Sequence, residues 1–334
     1  MALPEDTVAV ETGPDFVLAL GESGTVYSWG SNEYGQLGRT TDRSFDWQPG
    51  EVENLHEIVQ VAAGENFALA LDASGQVHTW GYAANGALGD GPPTSEFRQL
   101  PAPIPGFVGV EKVAAGSHHA VALQTGGRMY AWGAGTYGAL GQGDQADRYQ
   151  PHSVFIPDTV VNDVAAGHSY TLFIANGLVV GGFGLNDNWQ LGTVGTDSQY
   201  EVLPVAIDLS LAGLTRVFAG VNTGFVVNGQ GDLYAWGGNV ARIKGCCRGG
   251  QSEPDMVQVP GVNDIVMVGA ALGHALVIDG AVQAAYGLGS NLQFRLGLPV
   301  SRILEAPELV PLSGSVTHVS SSSSYSALVM DGVV

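Results

Sequence analysis

One short pattern returns seven times along this chain of 334 residues, and it restricts the fold more than any other feature. The pattern is Val-Ala-Ala-Gly followed by a short apolar stretch, as at residues 61–64 and 67–71. Neighbouring copies lie 51, 52, 51, 53, 51 and 51 residues apart. A period this regular indicates an array of equivalent structural units. The seven anchor positions are Gly13, Gly64, Gly116, Gly167, Gly220, Ala271 and Ser322.

Two further elements follow the anchors. A turn leads to a strand that ends in an aromatic residue and glycine, such as Trp29-Gly30, and a loop of the form Gly-Gln-Leu-Gly comes next, first at residues 35–38. The apolar runs are short, rich in Val, Tyr and Trp, and bounded by turn-forming residues, which is typical of β-strands. Each unit has room for about four strands.

Four-stranded units repeated around an axis predict an all-β propeller. The small Ala and Gly residues of the anchors suit inner strands, which converge on the axis where large side chains would collide. A β-solenoid is the alternative architecture, but its coils are usually shorter than this period. We expect one domain over residues 1–334, built as a seven-bladed β-propeller.

These motifs resemble those of the regulator of chromosome condensation repeat family. The resemblance rests on the Val-Ala-Ala-Gly anchor, the Trp-Gly strand and the Gly-Gln-Leu-Gly loop, and it covers residues 7–334. It implies a seven-bladed propeller, and it leaves function open because function depends on sites carried by a fold.

Two family activities can be compared with the residues. Nucleotide exchange on a small GTPase uses an inserted wedge and a basic tail, whereas here no repeat exceeds its neighbours by more than two residues and the N-terminus is acidic. Ultraviolet-B photoreception relies on repeated Gly-Trp-Arg-His-Thr segments, whereas residues 64–67 read Gly-Glu-Asn-Phe. Neither activity is the first expectation.

The charge balance argues against two kinds of partner. The chain has 32 acidic and 12 basic residues, for a net charge of −20. Nucleic acids and anionic membranes are bound by clustered Lys and Arg, so we expect neither as a partner. The N-terminus lacks the features of a secretory signal, and no stretch is apolar for long enough to cross a membrane as a helix. We therefore expect a cytoplasmic or virion protein.

No motif identifies an enzyme. The sequence has no P-loop, no Gly-x-Ser-x-Gly, no calcium loop, no metal-ligand spacing and no nucleophile with an identifiable base. His119 and His274 occupy a repeat position that holds Phe67 in another unit, so we interpret them as packing residues. We expect no catalytic residue, metal or cofactor.

The expected function is therefore non-catalytic recognition of another protein, or structural scaffolding. A virion or assembly surface protein is the more specific version of this hypothesis. A guanine-nucleotide exchange factor for a small GTPase is the alternative.

A basic cluster in the fifth repeat is the first candidate contact site. Where Gly-Gln-Leu-Gly is expected, the sequence carries Arg242, Lys244, Cys246, Cys247 and Arg248. We predict that the three basic side chains are exposed on one face and contact an acidic partner. Such cationic neighbours can also lower the pKa of the adjacent cysteine thiols. A solvated loop with inert thiols is the alternative.

Aromatic residues in the loops after the aromatic-Gly strands are the second candidate. They are Tyr34, Tyr137, Trp189 and Phe294, each in its own unit. Such loops share one face of a propeller, and aromatic side chains are favoured anchors at protein interfaces. Packing against the adjacent blade is the alternative.

The last repeat lacks its second half. It turns at residues 331–332 and reaches Val333 and Val334 without an aromatic-Gly strand. We expect an incomplete last blade whose exposed edge, at Val333 and Val334, accepts a strand from another protein. The alternative is that the sequence is part of a longer protein.

Overall fold

The computed structural model describes residues 3–93, 95–192, 198–207, 211, 213–246 and 252–334. These residues form six four-stranded sheets and one two-stranded sheet, and every strand pair is antiparallel. In each four-stranded sheet the strands are paired in chain order, from the axis outward. The prediction of an all-β propeller is confirmed.

The strands are numbered in chain order. Blade 1 contains β1 (Thr7–Thr12), β2 (Phe16–Gly21), β3 (Val26–Ser31) and β4 (Phe45–Glu51). Blade 2 contains β5 (Ile58–Ala63), β6 (Phe67–Asp72), β7 (Val77–Tyr82) and β8 (Phe97–Pro103). Blade 3 contains β9 (Val110–Ala115), β10 (His119–Gln124), β11 (Arg128–Gly133) and β12 (Arg148–Ser153). Blade 4 contains β13 (Val161–Ala166), β14 (Tyr170–Ala175), β15 (Val179–Leu185) and β16 (Tyr200–Ile207).

Blade 5 contains β17 (Leu214–Ala219), β18 (Thr223–Asn228), β19 (Leu233–Gly237) and β20 (Glu253–Gln258). Blade 6 contains β21 (Ile265–Ala270), β22 (His274–Asp279), β23 (Ala284–Gly289) and β24 (Glu308–Leu309). The seventh repeat contributes β25 (Val316–Ser321) and β26 (Ser326–Met330). Three short 3₁₀ turns lie at Thr136–Gly138, Val240–Arg242 and Leu292–Phe294.

The predicted count of seven blades needs correction. Six blades are complete, and among the described residues the seventh repeat supplies only the inner pair β25–β26. The seven anchors mark first strands, so counting anchors counts inner strands and not complete sheets. The described residues therefore form six full blades and one inner hairpin, in line with the prediction that the last blade is incomplete.

Each blade is built from a buried second strand with partners on both sides. The residues of β2, β14, β18 and β22 are buried along their whole length because they pack against the neighbouring blades on both faces. The glycine that ends the third strand is required by close packing: Gly81 has φ of +98°, and a Cβ there would lie 2.7 Å from the Cα of Phe67. Only glycine tolerates both conditions without strain.

Backbone hydrogen bonds join every repeat to the next one. The first residue of each inner strand donates to the turn of the preceding repeat, as Ile58 N does to Gly24 O at 3.3 Å. Thr7 N donates in the same way to Gly332 O at 2.7 Å, so the seventh repeat joins the first. The Tyr325 hydroxyl adds hydrogen bonds to the carbonyls of Gly13 and Phe16. The inner part of the ring is closed.

Candidate interaction surface

The loops between third and fourth strands share one face of the ring, called here the loop face. In four of these loops an asparagine side-chain oxygen accepts a hydrogen bond from the backbone N–H of the residue five positions further along the chain, which braces the loop. The four bonds run from Leu37 to Asn32, Leu191 to Asn186, Lys244 to Asn239 and Leu296 to Asn291, at 2.9–3.1 Å. Because each loop is held at its base, the side chains at its tip are presented in a defined position.

The loop tips of blades 4–6 differ from those of blades 1–3 in one respect. Blades 1–3 carry Gly35, Gly86 and Gly138 at a left-handed position, with φ of +74°, +78° and +77°. Blades 4–6 keep the same conformation with the non-glycine residues Trp189, Arg242 and Phe294, at φ of +62°, +63° and +62°. Such residues cost about 1–2 kcal/mol each in this region. Backbone strain of this kind is concentrated at functional sites.

The four predicted aromatic residues do not form one equivalent ring. Tyr34 is half-buried against Tyr82, with the ring centroids 5.2 Å apart. Tyr137 is exposed with Tyr200 at 6.4 Å, Trp189 is half-buried, and Phe294 is 58% exposed. Tyr34 packs against the next blade, which was the alternative to a contact role, whereas Phe294 projects from the loop face.

Only part of the predicted basic cluster of the fifth repeat lies within the described residues, and one of its two described basic side chains is buried. Arg242 is partly exposed and forms an ion pair with Glu305 at 2.8 Å. The prediction that Lys244 is exposed is wrong, because this side chain is 0% exposed. Cys246 is half-buried, and Cys247 and Arg248 lie outside the described residues.

The burial of Lys244 has a simple cause in the repeat. Lys244 stands where the other complete blades place a core leucine at the end of the loop. Its Nζ has no hydrogen-bond partner in the described part of the chain. The equivalent leucines are Leu37, Leu88, Leu140, Leu191 and Leu296, all at most 3% exposed.

An exposed apolar patch lies on the loop face, and of its residues only Phe294 was singled out from the sequence. It consists of Val240, Leu272, Leu292 and Phe294, which are 39%, 42%, 46% and 58% exposed, and we call it the loop-face patch. The segments that carry it are in contact. A Cβ on Gly273, next to Leu272, would lie 3.6 Å from Val240, and the Gly273 carbonyl accepts a hydrogen bond from Ser290 N in the loop of blade 6.

The other repeats carry polar residues at most of these positions. Glu33, Thr136 and Asp187 occupy the loop position of Val240 and Leu292. The turn position of Leu272 holds Glu65, Ser117 and His168 in blades 2–4. The apolar side chains of blades 5 and 6 are therefore a local departure from the repeat, and this comparison is the signal that could have identified the patch.

A cavity of about 340 Å³ lies on the axis of the ring and holds several polar side chains. Lys112 forms an ion pair with Asp163, and the Ser320 hydroxyl donates to Glu11. Burial raises the pKa of Glu11 to about 7, against the opposite effects of the Ser320 hydrogen bond and the Lys112 charge. His318 accepts a hydrogen bond from the backbone of blade 1, and burial lowers its pKa to about 4. These contacts join neighbouring blades.

The repeated histidines lie in the core of the ring. His119 and His274 are at most 1% exposed and lie within hydrogen-bond distance of Thr171 and Ser326 in the next repeat, at 3.0 and 3.1 Å. Burial lowers the pKa of His119 to about 3 and that of His274 to about 4. Their interpretation as packing residues agrees with this burial.

The described residues hold no group of three His, Cys, Asp or Glu side chains arranged to bind a metal ion. They also hold no helix with the length and hydropathy needed to cross a membrane.

The residues predicted at the open edge do not form an edge strand. Val333 lies in the turn after β26, where it exchanges two backbone hydrogen bonds with Met330. Val334 packs beside a small apolar cluster that contains Val10 and Val17. The unpaired edge is β26 itself, because β26 pairs only with β25 among the described strands.

Comparisons with known proteins agree with this architecture. The model of the RCC1-like domain family matches residues 2–328. The chain is 31% identical to the ultraviolet-B receptor UVR8 of Arabidopsis thaliana, covering 94% of this chain and 73% of the receptor. It is also 31% identical to the human regulator of chromosome condensation, covering 89% of this chain and 76% of that protein.

Solved structures give the same fold at lower identity. Human WBSCR16 superposes with a TM-score of 0.90 at 21% identity, covering 99% of this chain and 89% of that one. Prp20p of Saccharomyces cerevisiae, a protein with binding properties toward Gsp1p and histones, superposes with a TM-score of 0.85 at 22% identity. That superposition covers 96% of this chain and 81% of Prp20p.

Proposed function

The chain belongs to the RCC1-like domain family, and from this premise we propose that it is a non-catalytic protein-recognition propeller. Its partner binds the loop-face patch of blades 5 and 6. Relatives of this fold bind other proteins: Prp20p has binding properties toward Gsp1p and histones, and yeast RCC1 was crystallised with Kap60 bound. These partners belong to those proteins, and they support a protein as the class of ligand.

The observation that carries the proposal is the exposure of Val240, Leu272, Leu292 and Phe294 on an otherwise acidic molecule. Adjoining exposed apolar side chains on a soluble domain mark an interaction surface. Leu and Phe side chains at the centre of such a patch lose water on binding, and aromatic residues contribute strongly to interface energy.

The loop geometry supports the same surface. Arg242 and Phe294 hold left-handed backbone conformations on loops braced by Asn239 and Asn291. A preformed surface loses less conformational entropy on binding than a mobile one. Arg242, beside Glu305, provides a charged rim to which an acidic group of the partner can bind.

The test compares capture of partners by matched variants. The double variant L272E/L292E places two carboxylates in the loop-face patch, and Val282→Glu places one at a more exposed site in a turn on the opposite side of blade 6. Quantitative mass spectrometry after affinity capture should show one set of proteins retained by the wild type and Val282→Glu and lost with L272E/L292E. Equal capture by all three proteins would refute the proposal.

Nucleotide exchange on a small GTPase is the second candidate, favoured by the similarity to the human regulator of chromosome condensation. Release of a fluorescent guanine nucleotide from purified small GTPases distinguishes it from simple recognition. Acceleration by the wild type that L272E/L292E abolishes would assign exchange to the loop face. No observation favours a virion role, and it is not carried forward.

A further inference from the structure

The cavity on the axis of the ring has an apolar end and a polar end. The first strands of all seven repeats line it, and its volume of about 340 Å³ falls within the range of small-molecule sites. Alanines that precede the anchor glycines surround the end near the loop face, among them Ala63, Ala115 and Ala166. Charged and polar side chains surround the other end. A ligand that matches this cavity has an apolar part and a polar part.

Three polar side chains at the polar end are already satisfied by the protein. The Gln60 amide exchanges two hydrogen bonds with the backbone of Val113, at 2.8 and 3.0 Å. Lys112 forms an ion pair with Asp163, whose second carboxylate oxygen accepts a hydrogen bond from Val217 N at 2.9 Å. These contacts join blades 2 to 5, and their charges cancel within the wall of the cavity.

Arg216 lies on the same wall and is held in place without a carboxylate. One guanidinium nitrogen donates to the carbonyl of Val266 in blade 6 at 2.6 Å, and the guanidinium carbon lies 5.1 Å from the ring centroid of Phe218. In the described part of the chain, no Asp or Glu forms an ion pair with Arg216. On a chain with a net charge of −20, an arginine in this setting indicates a site for an anion from outside the protein.

His318 adds a neutral donor to the wall. Its Nδ1 accepts the backbone N–H of Val10 at 3.3 Å, so the ring proton lies on Nε2. Burial lowers the pKa of His318 to about 4, and the charge of Arg216 acts in the same direction, so the ring is neutral near pH 7. The Nε2–H has no acceptor among the described residues. The wall therefore offers a guanidinium and an imidazole N–H to a ligand.

Glu11 is the third group with capacity for a ligand. One of its carboxyl oxygens accepts a hydrogen bond from the Ser320 hydroxyl at 3.2 Å. Burial raises the pKa of Glu11 to about 7, so the protonated form, which has an O–H donor, is well populated at neutral pH. The charged and titratable groups of this wall and of its nearby mouth are Glu11, Glu111, Lys112, Asp163, Arg216 and His318. Glu111 is exposed to solvent at the mouth, so with Glu11 protonated the enclosed wall carries one net positive charge.

We propose that the axial cavity binds a small monocarboxylate with an apolar chain. The carboxylate accepts hydrogen bonds from the guanidinium of Arg216, the Nε2–H of His318 and the protonated carboxyl of Glu11. The apolar chain lies among the alanines toward the loop face. The planar fork of an arginine matches the geometry of a carboxylate. A dianion would exceed the single net positive charge of the wall and leave buried charge without compensation.

The probes are butanoate and hexanoate, with hexanamide as the neutral analogue and sulfate as the dianion. Binding to the full chain is measured by isothermal titration calorimetry. We expect the affinity to rise about fourfold for each methylene added between butanoate and hexanoate, the usual effect of burying a methylene. Hexanamide and sulfate should bind more weakly than hexanoate, because the first lacks the charge and the second has one charge too many.

Substitutions of two arginines make the result specific. Arg216→Gln removes the charge, so we expect hexanoate to bind about ten- to hundredfold more weakly, the usual effect of hydrogen bonds to a charged group. Arg216→Lys keeps the charge without the planar fork and should bind with intermediate affinity. Arg128→Gln is the matched control, since Arg128 is exposed at the start of β11 and does not line the cavity. L272E/L292E should also leave binding unchanged, so this inference and the proposed function fail separately.

The pH dependence of binding is a second readout, and it holds even if Arg216→Gln does not fold. The wild type should bind hexanoate about tenfold more weakly at pH 8 than at pH 6, because the protonated fraction of a carboxyl with a pKa of about 7 falls by that factor. Glu11→Gln keeps a donor at both pH values and should remove this difference. Absence of hexanoate binding at millimolar concentration, equal binding of hexanamide or sulfate, unchanged binding by Arg216→Gln, or a wild-type affinity independent of pH would overturn the proposal.

Discussion

Replacing Lys244 with leucine should stabilise the protein. Lys244 is fully buried at a position where five other blades carry leucine, and its Nζ has no partner in the described residues. A buried polar group without a hydrogen bond costs about 1–3 kcal/mol, and a buried unpaired charge costs several kcal/mol more. A leucine side chain at this position would remove this cost and keep the apolar contacts of the stem. We expect a gain of about 2–4 kcal/mol from the substitution.

The gain converts to a measurable change in melting temperature. At about 2.1 cal/mol/K per residue, unfolding of a chain of this length has an entropy of about 0.7 kcal/mol/K. Lys244→Leu should therefore raise Tm by about 3–6 °C in calorimetry, with scans at two rates to establish reversibility. If the thermal transition depends on scan rate, the two proteins are compared instead by the urea concentration at the midpoint of unfolding.

The reciprocal substitution is the control for this prediction. Leu191→Lys places a lysine in the same site of blade 4, where leucine is fully buried, and should lower Tm by at least the same amount. A Lys244→Leu variant that is less stable than the wild type would contradict the reasoning. That result would mean that the lysine makes a stabilising contact and not an uncompensated one.

Three further changes test the contacts between blades. Tyr170→Phe removes a buried hydroxyl that donates to the carbonyls of Gly220 and Thr223, and it should cost about 1–3 kcal/mol in urea denaturation with an unchanged m-value. Glu11→Gln should stabilise the protein more at pH 8 than at pH 5, compared with the wild type at the same pH. The folded-state pKa of Glu11 is raised to about 7, so the stability that protonated Glu11 contributes is present below the unfolded pKa and is lost as pH rises through the folded pKa. His119 behaves oppositely, because its folded-state pKa is lowered to about 3 and the unfolded chain takes up a proton below pH 6.5. His119→Phe should therefore lose about 1–2 kcal/mol less stability than the wild type between pH 7 and pH 5, and an equal loss in both proteins would contradict the assignment.

The architecture could be predicted from the sequence because the residues that build it recur at a fixed spacing. The small residues at the anchors and the Trp-Gly pairs each fill one type of site, on the axis or between blades. Strand positions follow directly from these copies. The anchors alone gave one blade too many, because they report first strands and not the third and fourth strands that complete a sheet, whereas the missing aromatic-Gly strand of the last repeat predicted that its blade is incomplete.

The candidate site was predicted less well, for two different reasons. Lys244 was assigned to the surface because it lies in a short basic run, whereas its place in the repeat is that of a core leucine. The repeat position decides burial here, since the whole loop keeps its conformation when one residue changes. In the loop-face patch only Phe294 was predicted, because Val240 and Leu292 stand out only when their loops are aligned with those of Glu33 and Asp187.

The most direct test of recognition by the loop face is a hydrogen-exchange footprint of the chain with its captured partner. Residues 239–246, 271–273 and 290–296 carry the loop-face patch and its supporting backbone. The account predicts that these segments become protected on binding while the turns on the opposite side, at residues 176–178 and 281–283, exchange at their unbound rates. Protection confined to those turns, with the loop segments unchanged, would contradict the claim that this protein binds its partner through the loop face.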